Sequence, residues 1–276
     1  MSGLESLIQQ LVDASDKDEK LYVITQLVEL GEKEAIPHLI NCLDIAEDNE
    51  IKSYATNAII KIGGRKTPAK LYRLLRSSSW VTRMKAVEIL GELNDKNATY
   101  LLIRTLRNDS EPNVREWAAI SLGKIGDRKA ISHLIFVLKN EVDWEVRMEA
   151  ANALGMMNGK QARIALKEIY YSDKEYRVSW AAASALAQID KETARPLVKD
   201  LTFTLIDILK QEKDEDMRGA AAKTLGEIGN KMAAKTMLKQ MKLNKEFVRL
   251  EIDLALDKMA KRFNYKTKEE FIKNIK

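Results

Sequence analysis

The chain has 276 residues, of which 32% are charged and 6% aromatic, with a net charge of +5 and a single cysteine, Cys42. One cysteine excludes an internal disulfide framework. No apolar run approaches the roughly 20 residues that cross a bilayer, and four prolines and twelve glycines leave little room for long loops. The opening "MSGLESLIQQLVDASD" places no basic region ahead of an apolar stretch, so no secretory leader and a cytoplasmic location are expected.

In chain order, residues 3–13 read as a lone capping helix, and a full repeat begins at Asp16. Each repeat closes its first helix on a small residue: Gly31, Gly63, Asn94, Gly126, Asn158, Asp190 and Gly229, spaced by 32, 31, 32, 32, 32 and 39. Four residues before each stands Leu or Ile (Leu27, Ile59, Leu90, Leu122, Leu154, Leu186, Leu225). Eight after stands an apolar residue (Leu39, Leu71, Leu102, Leu134, Leu166, Val198, Met237). Apolar positions at +4, +8 and +12 from the closing residue form one stripe at helical period, so each unit is two helices. Gly, Asn or Asp between them suits a left-handed helix end. Asp95, Asp127 and Asn230 stand next in line, placed to cap the second helix. A single hairpin cannot bury its own apolar face, so neighbours must stack.

The sixth repeat, closed by Asp190, departs from the rest. Ser179 stands where other repeats carry a base, and the second helix, 192–211, has seven extra residues. Seven residues are close to two helical turns, so the apolar face stays in phase. Its surplus of apolar residues leaves two readings open: extra core, or an apolar partner patch at Leu201, Phe203 and Ile206. Residues 247–260 then match a first helix without its partner, and a last helix starts at Thr267 with Thr267 and Glu270 as a capping box.

"VREWAAISLGKIGDRKAISHLIFVL" (114–138), "VRMEAANALGMMNG" and "MRGAAAKTLGEIGNKMAAKTML" (217–238) resemble the HEAT repeat, most closely its phycobilisome-lyase subtype, over residues 16–262. That resemblance implies an all-α fold: a right-handed α-solenoid of about seven hairpins, first helices convex and second helices concave. A single solenoid domain over 1–276 is expected, with a cap at 1–15, repeats over 16–244, and a half repeat and cap over 245–276. Such repeats serve many roles, so the resemblance does not fix a function.

Candidate chemistry is sparse. Six repeats carry a base eleven residues before the closing position: Lys20, Lys52, Arg83, Arg115, Arg147 and Arg218. A row of anion-binding bases is one reading; recurrence with the scaffold period favours the other, ion pairs between repeats, with carboxylates such as Asp109 and Asp143 in reach. Each of four tryptophans (80, 117, 144, 180) lies within three residues of an arginine, an arrangement that serves packing or the stacking of bases or a tetrapyrrole. His38 and His133 stand three repeats apart and Cys42 is alone, so no metal site is proposed. Neither a phosphate-cradling loop nor a catalytic set emerges, "GGRK" (63–66) reads as a repeat turn, and no cofactor is expected.

Charge is the remaining signal. Residues 1–56 hold 4 bases and 12 acids, whereas 65–107 hold 10 bases and 3 acids. On the second helices, positions +3, +10 and +13 project opposite the buried stripe. They carry Lys66, Arg73, Arg76, Arg104, Arg107, Lys129 and Lys139, with Lys70 beside them, until Glu168 and Asp200 break the row. The stripe reads either as a charged, solvated face or as a surface for an anionic ligand; on the second reading the expectation is a non-enzymatic scaffold whose basic stripe takes an acidic or helical segment of a partner protein. A phycobilin-lyase-like subunit and a nucleic-acid binder are the alternatives, and nothing in the sequence sets an oligomeric state.

Overall fold

The computed structural model describes residues 3–63 and 69–275, with the side chains of 191–193 left aside. Every described regular element is a helix. In order they are α1 (Gly3–Asp13), α2 (Lys17–Leu30), α3 (Ile36–Ile45), α4 (Asn49–Ile62), α5 (Ala69–Leu74), α6 (Trp80–Glu92), α7 (Thr99–Asn108), α8 (Pro112–Ile125) and α9 (Ile131–Asn140). Next come α10 (Trp144–Met157), α11 (Lys160–Ser172), α12 (Tyr176–Ile189), α13 (Lys191–Gln211), α14 (Glu215–Ile228), α15 (Lys231–Gln240), α16 (Glu246–Arg262) and α17 (Lys268–Ile275). Short 3₁₀ turns at Lys33–Ala35, Lys96–Ala98 and Arg128–Ala130 lead into α3, α7 and α9. The chain divides into two compact units, Met1–Ala153 and Leu154–Lys276, the division falling inside α10.

In the first unit the first helices α2, α4, α6 and α8 pack in sequence, and each hands over to a second helix, α3, α5, α7 or α9. The repeat-marking Leu27, Ile59, Leu90 and Leu122, and the +8 residues Leu39, Leu71, Leu102 and Leu134, are all fully buried. Each such side chain contributes about 2 kcal/mol by leaving water. Small residues set how closely the first helices approach. A Cβ on Gly91 would run into the Ser121 hydroxyl and stand 2.9 Å from the Ser121 Cα, and that hydroxyl donates to the Val87 carbonyl at 2.9 Å.

The helix ends obey the expected chemistry with one difference. Gly31, Asn94, Gly126 and Asn158 adopt left-handed backbone (φ 71°, 52°, 65° and 52°). Gly63 and Gly229 instead leave the helix extended (φ −56° and −61°), as does Asp190. At those two glycines space decides the residue. A Cβ on Gly63 would stand 2.5 Å from the Ile59 carbonyl oxygen and 2.8 Å from Leu93, and one on Gly229 2.5 Å from the Leu225 carbonyl. Asp95 and Asp127 accept backbone N–H bonds from Asn97 and Lys129, and Asn230 accepts from Ala233.

The second unit repeats the scheme with α12, α14 and α16 as first helices and α11, α13, α15 and α17 as second helices. α13 is one continuous 21-residue helix with Pro196 near its start. Its Leu201, Leu205, Ile206 and Leu209 are buried in a cluster that also holds Trp180, Leu225, Met237, Leu256 and Phe271. The expected patch at Leu201, Phe203 and Ile206 therefore resolves mostly into core. Leu201 and Ile206 are 4% exposed, and only Phe203, at 47%, faces out. The seven extra residues keep the apolar stripe pointing inward, as the near two-turn length dictates. At the end of the chain Glu270 N–H donates to Thr267 Oγ1 at 3.1 Å, while the Glu270 carboxylate accepts from Lys266 N.

Candidate functional site

Two sets of arginines lie in the first unit, and their surroundings separate them. The first set occupies the first helices and joins one repeat to the next. Arg83 donates Nε and Nη2 to the two Asp109 oxygens at 2.7 Å each, and Nη1 to the Ser77 and Ser78 carbonyls. Arg115 repeats the figure with Glu141 at 2.9 and 3.0 Å and the carbonyls of Asp109 and Ser110. The planar fork of a guanidinium matches a carboxylate in this way, and these charge-assisted bonds are the stronger kind. Asp109 raises the Arg83 pKa through its hydrogen bonds. Burial alone would raise that of Glu141, but Arg115 and the backbone N–H groups of Asp143 and Val142 together outweigh it and hold the carboxyl below its usual range. Glu141, not Asp143, is the carboxylate that Arg115 grips.

Lys52 fills the same place one repeat earlier, but its Nζ donates to the hydroxyls of Ser79 (3.3 Å) and Thr82 (2.5 Å). It is 3% exposed, and burial lowers its pKa. In the second unit Arg218 donates to the Glu212 and Lys213 carbonyls. Lys52, Arg83 and Arg115 therefore tie one repeat to the next.

The second set is the expected stripe. Lys66 lies outside the described residues. Lys70, Arg73, Arg76, Arg104, Arg107, Lys129 and Lys139 are all exposed, as their positions opposite the buried +8 residues require. Arg73, Arg76 and Arg104 line one groove of about 650 Å³ together with Tyr72, Leu75, Leu101, Thr105, Asn108 and Asp109. That volume is in the range that holds a small ligand or a few peptide side chains. None of these three guanidiniums has an ion pair or hydrogen bond among the described residues.

The groove opens where a second helix ends early. α3, α7 and α9 run to +14 from their closing residues, whereas α5 stops at +11, and the chain turns through Arg76 and Ser77 on bonds to the Arg73 and Leu74 carbonyls. This is the repeat with the 31-residue spacing, so the missing residue falls at the groove. The two oxygen acids nearest to it are already engaged. Asp109 is gripped by Arg83, and Asp95 accepts the Tyr72 hydroxyl at 2.5 Å. Burial, reinforced by that bond, pushes the Tyr72 phenol up to about 12, so it stays a neutral donor. The groove keeps its positive charge.

The rest of the stripe spreads outward from the groove. Lys70 Nζ donates to Asn41 Oδ1 at 3.2 Å. Arg107, one turn after Arg104 on α7, places its guanidinium carbon 4.5 Å from the ring centre of Phe136 on α9. Lys139 comes one turn after Phe136 on α9, and Lys129 sits in the 3₁₀ turn before that helix. Of the described stripe residues, Arg73, Arg76 and Arg104 line one cavity together. Phe136 escapes a reading of the sequence because a search for bases passes over it, although it holds the +10 place that Arg73 and Arg104 hold in the preceding repeats.

The other candidates part company. Arg83 and Arg115, which neighbour Trp80 and Trp117 in sequence, are held by carboxylates, while Trp180 is buried with Tyr176 at 4.6 Å. No group of three or more His, Cys, Asp or Glu among the described residues could hold a metal ion. No described helix is long and apolar enough to cross a membrane.

Comparison with known proteins bears on the scaffold. The family of HEAT repeats matches residues 4–80, 67–155 and 134–202. None of the curated proteins matches the chain. Among solved structures, the karyopherin Kap121p bound to the SUMO protease Ulp1p is similar at 14% identity and a TM-score of 0.62, over 99% of this chain and 34% of that one. Yeast importin-β (Kap95p) is similar at 14% identity and a TM-score of 0.53, over 94% of this chain and 42% of that one. This chain thus spans about a third to two fifths of the length of those two. The CpcE–CpcF complex of phycocyanin lyase from Nostoc sp. PCC7120 aligns over 95% of both chains at 22% identity and a TM-score of 0.47.

Proposed function

From the premise that the chain belongs to the HEAT-repeat family, we propose that it is a non-enzymatic scaffold that holds an acidic segment of a partner protein on the exposed bases of α5, α7 and α9. A single observation carries this reading: in one unit, Arg83 and Arg115, which join repeats, are held by carboxylates, while Arg73, Arg76 and Arg104 line a groove and have no carboxylate partner among the described residues. Guanidiniums left without a counter-charge are available to a carboxylate ligand, because no internal pair has to be broken before binding. The apolar Tyr72, Leu75 and Leu101 in the same groove suit a peptide better than a bare phosphate track. The acid-rich residues 1–56 in the same unit also oppose a nucleic acid lying along the repeats.

The test is an anisotropy titration of labelled Asp/Glu-rich peptides against the wild type and the triple variant Arg73→Glu, Arg76→Glu, Arg104→Glu. Binding by the wild type, lost in a variant with an unchanged melting temperature, supports the scaffold. Equal binding by both proteins discards it. A single-stranded RNA that displaces the peptide, with an affinity collapsing between about 50 and 200 mM salt, would transfer the groove to nucleic acid.

A further inference from the structure

We infer that the segment held in this groove is bipartite: acidic residues opposite Arg73, Arg76 and Arg104, and a large aliphatic or aromatic residue that packs on Phe136. This rests on the protein-scaffold reading and specifies its ligand. The +10 position carries Arg73 on α5, Arg104 on α7 and then Phe136 on α9, so the face changes from charged to aromatic along a single row. Phe136 is 48% exposed although it sits on a helix whose Ile131, Leu134, Val137 and Leu138 are buried. It is therefore displayed, not left over from the core.

Arg107 ties the two parts together. One turn from Arg104, it lies over the Phe136 ring at 4.5 Å, so the charged groove and the aromatic surface are continuous. A guanidinium flat on one ring keeps the stem of a ligand side chain in apolar contact while its own N–H groups stay available to a carboxylate.

The spacing derives from helix packing. Neighbouring helices lie about 8–10 Å apart. From the groove between α5 and α7 to α9 is one and a half such steps, or about 12–15 Å. An extended segment rises about 3.3 Å per residue, so the anchor falls about four residues from the centre of the acidic pair.

Peptides of twelve residues test this against the full chain: an Asp-Glu pair with Leu four residues away, on either side, and the same two peptides with Ser in place of Leu. In one of the two orders the Leu peptide should bind about tenfold tighter than its Ser partner, the gain expected from burying most of one aliphatic side chain. Phe136→Ser should erase that tenfold difference while leaving the affinity for the Ser peptides, and Phe136→Tyr should retain it. Circular dichroism checks that both variants are folded, and the wild-type comparison of the four peptides needs no variant at all. If Leu and Ser peptides bind alike in both orders, the bipartite inference is overturned and the acidic-segment reading survives. If no peptide binds, both are overturned.

Discussion

Arg83 and Asp109 are joined by two parallel hydrogen bonds of 2.7 Å, with side chains only 13% and 7% exposed. The same Asp109 lines the groove of Arg73, Arg76 and Arg104. A pair that fastens two repeats therefore also engages a carboxylate in the lining of the groove.

Asp109→Ala leaves Arg83 largely buried without its counter-charge. Stability should fall by about 3 kcal/mol, seen as a lower urea midpoint at unchanged slope. A midpoint within error of the wild type would mean that the pair does not fasten the repeats.

Two arginines on adjacent helices should give opposite phenotypes. Arg115→Gln breaks the grip on Glu141 and should cost about 3 kcal/mol while sparing peptide binding. Arg104→Gln should leave stability within about 0.5 kcal/mol and weaken the binding of acidic peptides. Denaturation and anisotropy on the same two proteins decide the matter, and matching phenotypes would refute the division.

At Gly91 and Gly226 two first helices approach closely. A Cβ at Gly91 meets the Ser121 backbone at 2.9 Å, and one at Gly226 meets Ala255 Cα at 2.8 Å. Each Gly→Ala change should destabilise by about 2 kcal/mol through forced separation of the helices, even though alanine favours a helix. A rise in melting temperature would show that the helices yield without loss.

Much of this is legible in the sequence, and the reasons differ by element. The period, the hairpins and the buried Leu27, Ile59, Leu90 and Leu122 come from spacing alone, because stacked repeats make the same demand at the same place. Helical phase alone turns Arg73, Arg76, Arg104 and Arg107 outward. Which of them share a cavity is hidden, because that depends on where α5 stops, and a one-residue change in spacing does not say which helix loses it. Leu201 and Ile206 are ambiguous because apolar content alone cannot distinguish a helix with more core from one with an uncovered face. The extended backbone at Gly63 and Gly229 is hidden for a similar reason: a glycine serves equally where φ is positive and where a Cβ lacks room.

A pH dependence should reside in α8. Burial, reinforced by Glu149, Glu145 and Asp143, raises the Glu116 pKa from 4.5 to about 6. Between those values the folded chain holds more proton than the unfolded one, so stability is fully present below about 4.5 and declines as the pH rises through 6. Glu116→Gln should raise the melting temperature at about pH 7.5 and leave it nearly unchanged at about pH 4.5. An equal shift at both values would remove the cause assigned to Glu116.

The early end of α5 has an evolutionary and an engineering corollary. Side chains at the groove need not change for the groove to vanish: one residue inserted after Leu74 would let the helix run on and fill the space between α5 and α7. In a wall built of near-identical bricks, a short one leaves a gap, and a groove can be opened or shut by length rather than by chemistry.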